Sequence, residues 1–113
     1  MADSCLFCRI VAGEIPAQIV AQNDAVVAFR DVNPQAPLHV LVVPREHVAS
    51  LAEARGAALM GEVAAMAAQV ARDEGYGESG FRTVVNNGRD AGQTVAHLHM
   101  HVLAGRALGW PPG

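Results

Sequence analysis

One apolar stripe in this chain has the period of a helix. Leu59, Met60, Val63, Met66, Ala67 and Val70 recur at helical spacing, and Gly75 and Gly77 stand where such a run ends. The stripe predicts one long amphipathic helix whose methionines pack into the core. The other apolar positions alternate or run unbroken, as in strands. His39–Val43 is β-branched and apolar and stops at Pro44, which marks an inner strand. Ala25–Phe29 predicts a strand after the Asn23-Asp24 turn signal, Ile15-Pro16 opens an extended stretch through Val20, and Phe81–Asn86 and Ala96–Leu103 predict two more. Residues 5–12 read as a short amphipathic helix ended by Gly13, and Ser50-Leu51-Ala52-Glu53 has the spacing of a capping box in front of a helix that Gly56 breaks. Asp31-Val32-Asn33-Pro34-Gln35-Ala36-Pro37 is a rigid loop, since each proline biases its predecessor away from helix. Strands around one long helix, without regular βαβ alternation, define an α+β fold with a mostly antiparallel sheet.

The alternation in the last strand carries candidate chemistry. In His97-Leu98-His99-Met100-His101 three of the five histidines of the chain fall on every second position, so their imidazoles project from one face while Leu98, Met100 and Val102 turn to the other. A strand advances about 3.3 Å per residue, which separates neighbouring imidazoles by roughly 6.6 Å at the backbone and the outer pair by about 13 Å. A straight strand therefore cannot bring all three to one metal ion, and at least one is left for other work. Imidazole exchanges protons and attacks phosphorus near neutral pH.

A second cluster lies at the start of the chain. Cys5-Leu6-Phe7-Cys8 is, by itself, a metal knuckle, a redox pair or a coincidence. The redox reading wants a central strand before the pair, and only four residues precede Cys5, so zinc is favoured. Two thiolates make half a tetrahedral site; His47 and one member of the histidine row are the available partners.

Composition narrows the classes. The chain has 113 residues, 51% hydrophobic and 17% charged, with net charge −3, which describes one compact domain spanning 1–113. The eight basic residues are scattered, which argues against a nucleic-acid polymer but not against a single nucleotide held in a small anion pocket. No apolar stretch reaches membrane-spanning length and Met1–Ser4 has no basic segment before an apolar run, so we expect a soluble cytoplasmic protein. Gly92-Gln93-Thr94-Val95, directly before the histidine row, is suited to a phosphate, with Thr94 as a hydroxyl donor; Asn86 and Asn87 add neutral donors, although Asn87 before Gly88 reads better as turn chemistry.

These segments together resemble the histidine triad (HIT) superfamily, and within it the Hint branch. His97–Leu103 is similar to the His-x-His-x-His motif, Phe29–His39 to the nucleotide-side loop and inner strand, Val85–Gly88 and Gly92–Val95 to the phosphate-side segments, and Trp110-Pro111-Pro112-Gly113 to the Hint tail. The resemblance implies that His99 is the nucleophile toward an α-phosphate and that His101 protonates the leaving group, with His97 and His39 orienting the nucleophile. It implies that Asp31 binds the ribose hydroxyls, that Leu6, Phe7, Ile10, Phe29 and Val32 line the purine slot, and that Asn86, Gly92, Gln93, Thr94 and Val95 hold the phosphate. The implied activity is a purine nucleoside phosphoramidase that releases AMP or GMP and acts as a homodimer. The alternatives are dinucleoside polyphosphate hydrolysis on the same scaffold and a non-catalytic zinc-containing nucleotide-binding module. In Hint-like bacterial proteins the matches of Cys5, Cys8, His47 and His97 hold a structural zinc. Thr94 stands where many members carry Ser, and Gly109 where Hint tails often carry His.

Overall fold

The computed structural model describes residues 4–113. In chain order it contains helix α1 (Leu6–Val11), strands β1 (Ile19–Gln22), β2 (Val26–Arg30) and β3 (Leu38–Pro44), a single 3-10 turn (Leu51–Glu53), helix α2 (Ala58–Asp73), and strands β4 (Phe81–Val84) and β5 (Met100–Ala104). The five strands form one sheet in the order β1-β2-β3-β5-β4, and every neighbouring pair is antiparallel. This is the α+β architecture expected from the patterning. Among the described residues no helix is long and apolar enough to cross a membrane.

The sheet divides the molecule. On one face Val26 and Ala28 of β2, Leu38, Val40 and Val42 of β3, and Met100, Val102 and Ala104 of β5 pack against Val63, Met66, Ala67, Val70 and Ala71 of α2. On the other face Val27, Phe29, Leu41 and Val43 pack with Cys5, Phe7 and Ile10 from α1 and its cap. Strands β2 and β3 are covered on both sides, which is why their sequences are nearly continuous in apolar residues. The period of two then assigns side chains to layers: His39 and His101 face α1 because their neighbours Val40 and Val102 are held against α2.

Four expectations shift in register. The stretch opened by Ile15 pairs only from Ile19 onward: the Ile15 N–H points back to the Arg9 carbonyl and Pro16 has no N–H to offer a ladder. The capping-box serine, Ser50, makes no side-chain cap bond; the Asn87 side chain accepts from the Ala52 N–H at 2.7 Å instead, and Gly56 follows in the left-handed region. Strand β4 ends at Val84 and leaves Asn86 outside the ladder. The ladder of β5 begins at Met100, not Ala96. Continued in register, the ladder would set His99 against Val43 and Leu98 against Pro44, which cannot donate, and the Leu98 N–H bonds the Val48 carbonyl at 2.6 Å instead. His97 and His99 thus precede the ladder but keep to one face, since both rings stand against Phe7.

The end of β5 is closed by Gly105. It has φ +98°, and a Cβ there would lie 2.7 Å from Pro37 Cβ and 3.2 Å from the Tyr76 hydroxyl. Both the backbone angle and the contact exclude a side chain, so Gly105→Ala is expected to lower unfolding free energy by about 2 kcal/mol, read as a lower urea midpoint at unchanged slope.

Candidate active site and metal corner

Three hydrogen bonds with partners of fixed polarity decide what each histidine can do. The ring nitrogen Nδ1 of His99 lies 2.7 Å from the His97 carbonyl. A carbonyl only accepts, so Nδ1 carries the proton and the neutral ring keeps an unprotonated Nε2. The Gln35 backbone N–H, which only donates, lies 3.0 Å from His39 Nδ1. The proton of His39 therefore sits on Nε2, 2.9 Å from His101 Nδ1. His101 accepts there and carries its own proton on Nε2. Side by side stand one imidazole with a free lone pair and one with a free N–H, ring centroids 5.1 Å apart.

His97 is turned the other way. Its Nε2 lies 2.8 Å from the Pro44 carbonyl and so bears the proton, which leaves the Nδ1 lone pair facing Cys5 Sγ at 3.4 Å and Cys8 Sγ at 3.5 Å. His47 Nδ1 approaches Cys8 Sγ at 3.2 Å, and the four donor atoms all lie within 4.8 Å of one another. Zinc–sulfur bonds of about 2.3 Å and zinc–nitrogen bonds of about 2.0 Å on a tetrahedron separate sulfur from nitrogen by about 3.5 Å. The donor set therefore fits such an ion in number, kind and spacing. Burial, reinforced by the hydrogen bond and charge of Cys5, pushes the Cys8 thiol above its usual range.

Asp31, His39 and His101 also cluster within 4.8 Å. That cluster is not a ligand set, because Gln35 forces a proton onto the His39 nitrogen that would have to coordinate. Asp31 Oδ2, 3.4 Å from His39 Nε2, shares this proton with His101, while Asp31 Oδ1 accepts from the Asn33 N–H at 2.8 Å. Asp31 thus serves both as a turn starter and as a wall of the site.

His99 and His101 both line a cavity of about 900 Å³. Its walls include Leu6, Phe7, Ile10, Phe29, Asp31, Val32, Thr94, Val95, His99 and His101, ten residues assigned to it from the sequence. Phe7 stands edge-on to Phe29, His97 and His99, with centroids 5.5, 5.9 and 5.1 Å away, and so joins the apolar slot to the histidines. Ile15, Pro16, Ala17, Gln18, Arg30 and Leu41 complete the lining. Of these only Leu41 had a usable signal, its alternation with His39 along the inner strand.

The structure departs from the expected cradle at three points. Asn86, Gly92 and Gln93 do not line the cavity. The Gly92 and Gln93 N–H groups bond the Arg89 and Gly88 carbonyls, and the Gln93 amide bonds Ala49, Val95 and Gly88, so this segment is a closed turn. Of the expected cradle, only Thr94 and Val95 line the cavity. His39 touches His101 rather than His99, and His97 supports His99 through its carbonyl, not its ring.

This fold and this pairing of imidazoles define a class. The HIT domain family matches residues 12–108, and the chain belongs to it. It is 42% identical over 111 residues to the purine nucleoside phosphoramidase of Escherichia coli K12, covering 96% of this chain and 93% of that one. The structure superposes on a HIT family hydrolase from Legionella pneumophila Philadelphia 1 with a TM-score of 0.94 at 42% identity, covering 97% and 100% of the two chains. A zinc-bound histidine triad family protein from Mycobacterium smegmatis matches with a TM-score of 0.81 at 32% identity, over 94% of this chain and 78% of that one.

Burial and the neighbouring imidazoles His99 and His39 push His101 down to about 4, against partial compensation by Asp31, and burial lowers His39. An unfolded chain regains the ordinary histidine value and binds the proton first, so stability is full above about pH 6.5 and falls as the pH drops toward 4. His101→Asn is expected to flatten the dependence of the urea midpoint on pH across that window relative to wild type.

Proposed function

We propose that this chain forms one HIT domain that hydrolyses the P–N bond of purine nucleoside 5′-phosphoramidates. The observation that carries the proposal is the tautomer pair: an unprotonated His99 Nε2 and a protonated His101 Nε2 open on one cavity beside Asp31 and an apolar slot. The purine lies among Leu6, Phe7, Ile10, Phe29 and Val32, and Asp31 takes the ribose hydroxyls. His99 Nε2 forms a bond to the α-phosphorus as the P–N bond breaks, and the departing amine takes the His101 Nε2 proton. Water then adds to phosphorus and breaks the bond to His99, and its proton returns to His101. A nucleoside monophosphate and an amine are released. Thr94 and the adjoining backbone, with Asn86, Gly92 and Gln93 supporting it, hold the phosphate.

Cys5, Cys8, His47 and His97 would hold zinc, the ion that the Mycobacterium smegmatis relative binds. With four protein ligands the ion is a structural cross-link that leaves no open position for substrate. It ties α1, and with it Phe7, to the segment whose carbonyl orients His99. We further propose a homodimer: β4 is an open edge strand with Phe81 half-exposed, and Trp110 in the tail is 82% exposed, surfaces that a second copy would cover.

His99→Ala is expected to lower kcat on adenosine 5′-phosphoramidate by about four orders of magnitude. AMP should still bind the variant within about tenfold of wild type, because the slot and Asp31 remain. Wild-type turnover in that variant rejects the nucleophile assignment, and faster wild-type cleavage of diadenosine polyphosphate than of phosphoramidate favours the dinucleotide reading. Metal analysis should find about one zinc per native chain and none in a Cys5→Ser/Cys8→Ser variant.

A further inference from the structure

The proton arrangement around His101 depends on a loop, and that loop is held from outside. The Gln35 N–H is the one donor that keeps a proton off His39 Nδ1. The carbonyl of the same residue accepts two bonds from the Arg106 guanidinium, from Nε at 3.1 Å and from Nη2 at 3.0 Å. A third bond from Arg106 Nη1 to the Ala107 carbonyl at 3.1 Å fixes the side chain against its own backbone. Next to it Gly105 lets the end of β5 close on Pro37, so residues 35–37 are gripped at two adjacent points. Arg106 is exposed and lines no part of the cavity. It lies five positions after His101, on the segment that leaves β5.

We propose that Arg106 is a positioning residue for His101: by clamping Gln35 it keeps a donor against His39 Nδ1, holds the single proton of His39 on Nε2, and so preserves the free N–H that His101 offers to the cavity. This rests on the phosphoramidase reading for its catalytic consequence, but not for the clamp itself. A planar guanidinium suits the task because two of its donors reach one carbonyl in a fixed geometry, which one ammonium group does not reproduce. Without the clamp the 34–37 loop can turn the Gln35 N–H away, and His39 Nδ1 becomes open to a second proton. The groups that face His39 then favour its charged form in one case and oppose it in the other: Asp31 from the loop after β2 attracts, and His101 from β5, with His99 beyond it, repels. A protonated His39 carries a hydrogen on both nitrogens, and its Nε2 hydrogen, between Asp31 Oδ2 and His101 Nδ1, is drawn toward the carboxylate.

The test is a histidine titration by nitrogen-15 NMR together with the pH profile of kcat, in wild type and Arg106→Met. Loss of one hydrogen bond's worth of restraint should raise the protonation midpoint of His39 by about one pH unit. The acid limb of kcat on adenosine 5′-phosphoramidate should move upward with it, and AMP affinity at pH 8 should stay within about twofold. Removing an exposed cation would also raise that midpoint through space, so the titration is repeated in 1 M sodium chloride, where the screening length is about 3 Å. A shift that persists in salt supports the clamp; a shift that vanishes, or none at all, overturns it. Arg106→Lys keeps the charge but not the paired donors and should show a smaller shift of the same sign. If the methionine variant does not fold, an unshifted lysine variant overturns the proposal. A wild-type protein inactive on phosphoramidates removes the proposed function, while the His39 midpoint still decides the clamp.

Discussion

A neutral imidazole has two nitrogens and one proton, so any partner of fixed polarity on one nitrogen decides the character of the other. The site of this protein is organised by that constraint. The carbonyl of His97 accepts from His99 and holds its proton on Nδ1, the N–H of Gln35 donates to His39 and keeps its proton off Nδ1, and the carbonyl of Pro44 accepts from His97 and holds its proton on Nε2. From these backbone groups follow a lone pair on His99, a free N–H on His101 and a lone pair on His97 that faces the cysteines. Backbone groups suit this role because their polarity does not change with pH, unlike that of a carboxylate or another histidine.

The sheet provides the separation that lets these assignments coexist. Along β3 and β5 one set of alternating side chains is locked under α2, which leaves the opposite set no choice but the face toward α1. A slip of one residue would bury the imidazoles against Val63 and Val70 and expose Val40 and Val102. The apolar packing on the far face is therefore what aims the histidines. Among the described residues no buried side-chain nitrogen or oxygen lacks a partner, so the arrangement carries no uncompensated polar group.

Phe7 connects the two halves of the site. It sits between Cys5 and Cys8 in the chain, faces both His97 and His99, and forms part of the cavity wall. In the proposed reaction a cross-link that fixes α1 would act on the cavity wall and on the His99 ring through the same side chain. His97 does so a second time, with its ring in the metal corner and its carbonyl on His99. Binding and chemistry share one mechanical support.

Much of this was legible in the chain itself. The stripe from Leu59 to Val70 specified α2, the unbroken run before Pro44 specified the inner strand, and the alternation of His97, His99 and His101 with Leu98 and Met100 specified a histidine face. Those features are local: each depends on the periodicity of a few consecutive residues, which neighbouring backbone geometry converts directly into faces. The sequence could not say that the ladder begins only at Met100, that Gln93 is committed to its own turn, or that His39 meets His101 instead of His99. Beside His47, the residues alone left the cysteines a choice among the three histidines of the row, which only the family resemblance narrowed to His97, and they offered no sign of what Gln35 or Arg106 holds. The Gln93 turn is local, but the histidine and cysteine contacts depend on partners far apart in the chain, 53 residues for His97 and Pro44, 62 for His39 and His101, 92 for Cys5 and His97. Residue type determined that imidazoles would share a face; only closure of the sheet, by bringing distant donors and acceptors against particular nitrogens, decided which of them carries a proton and where.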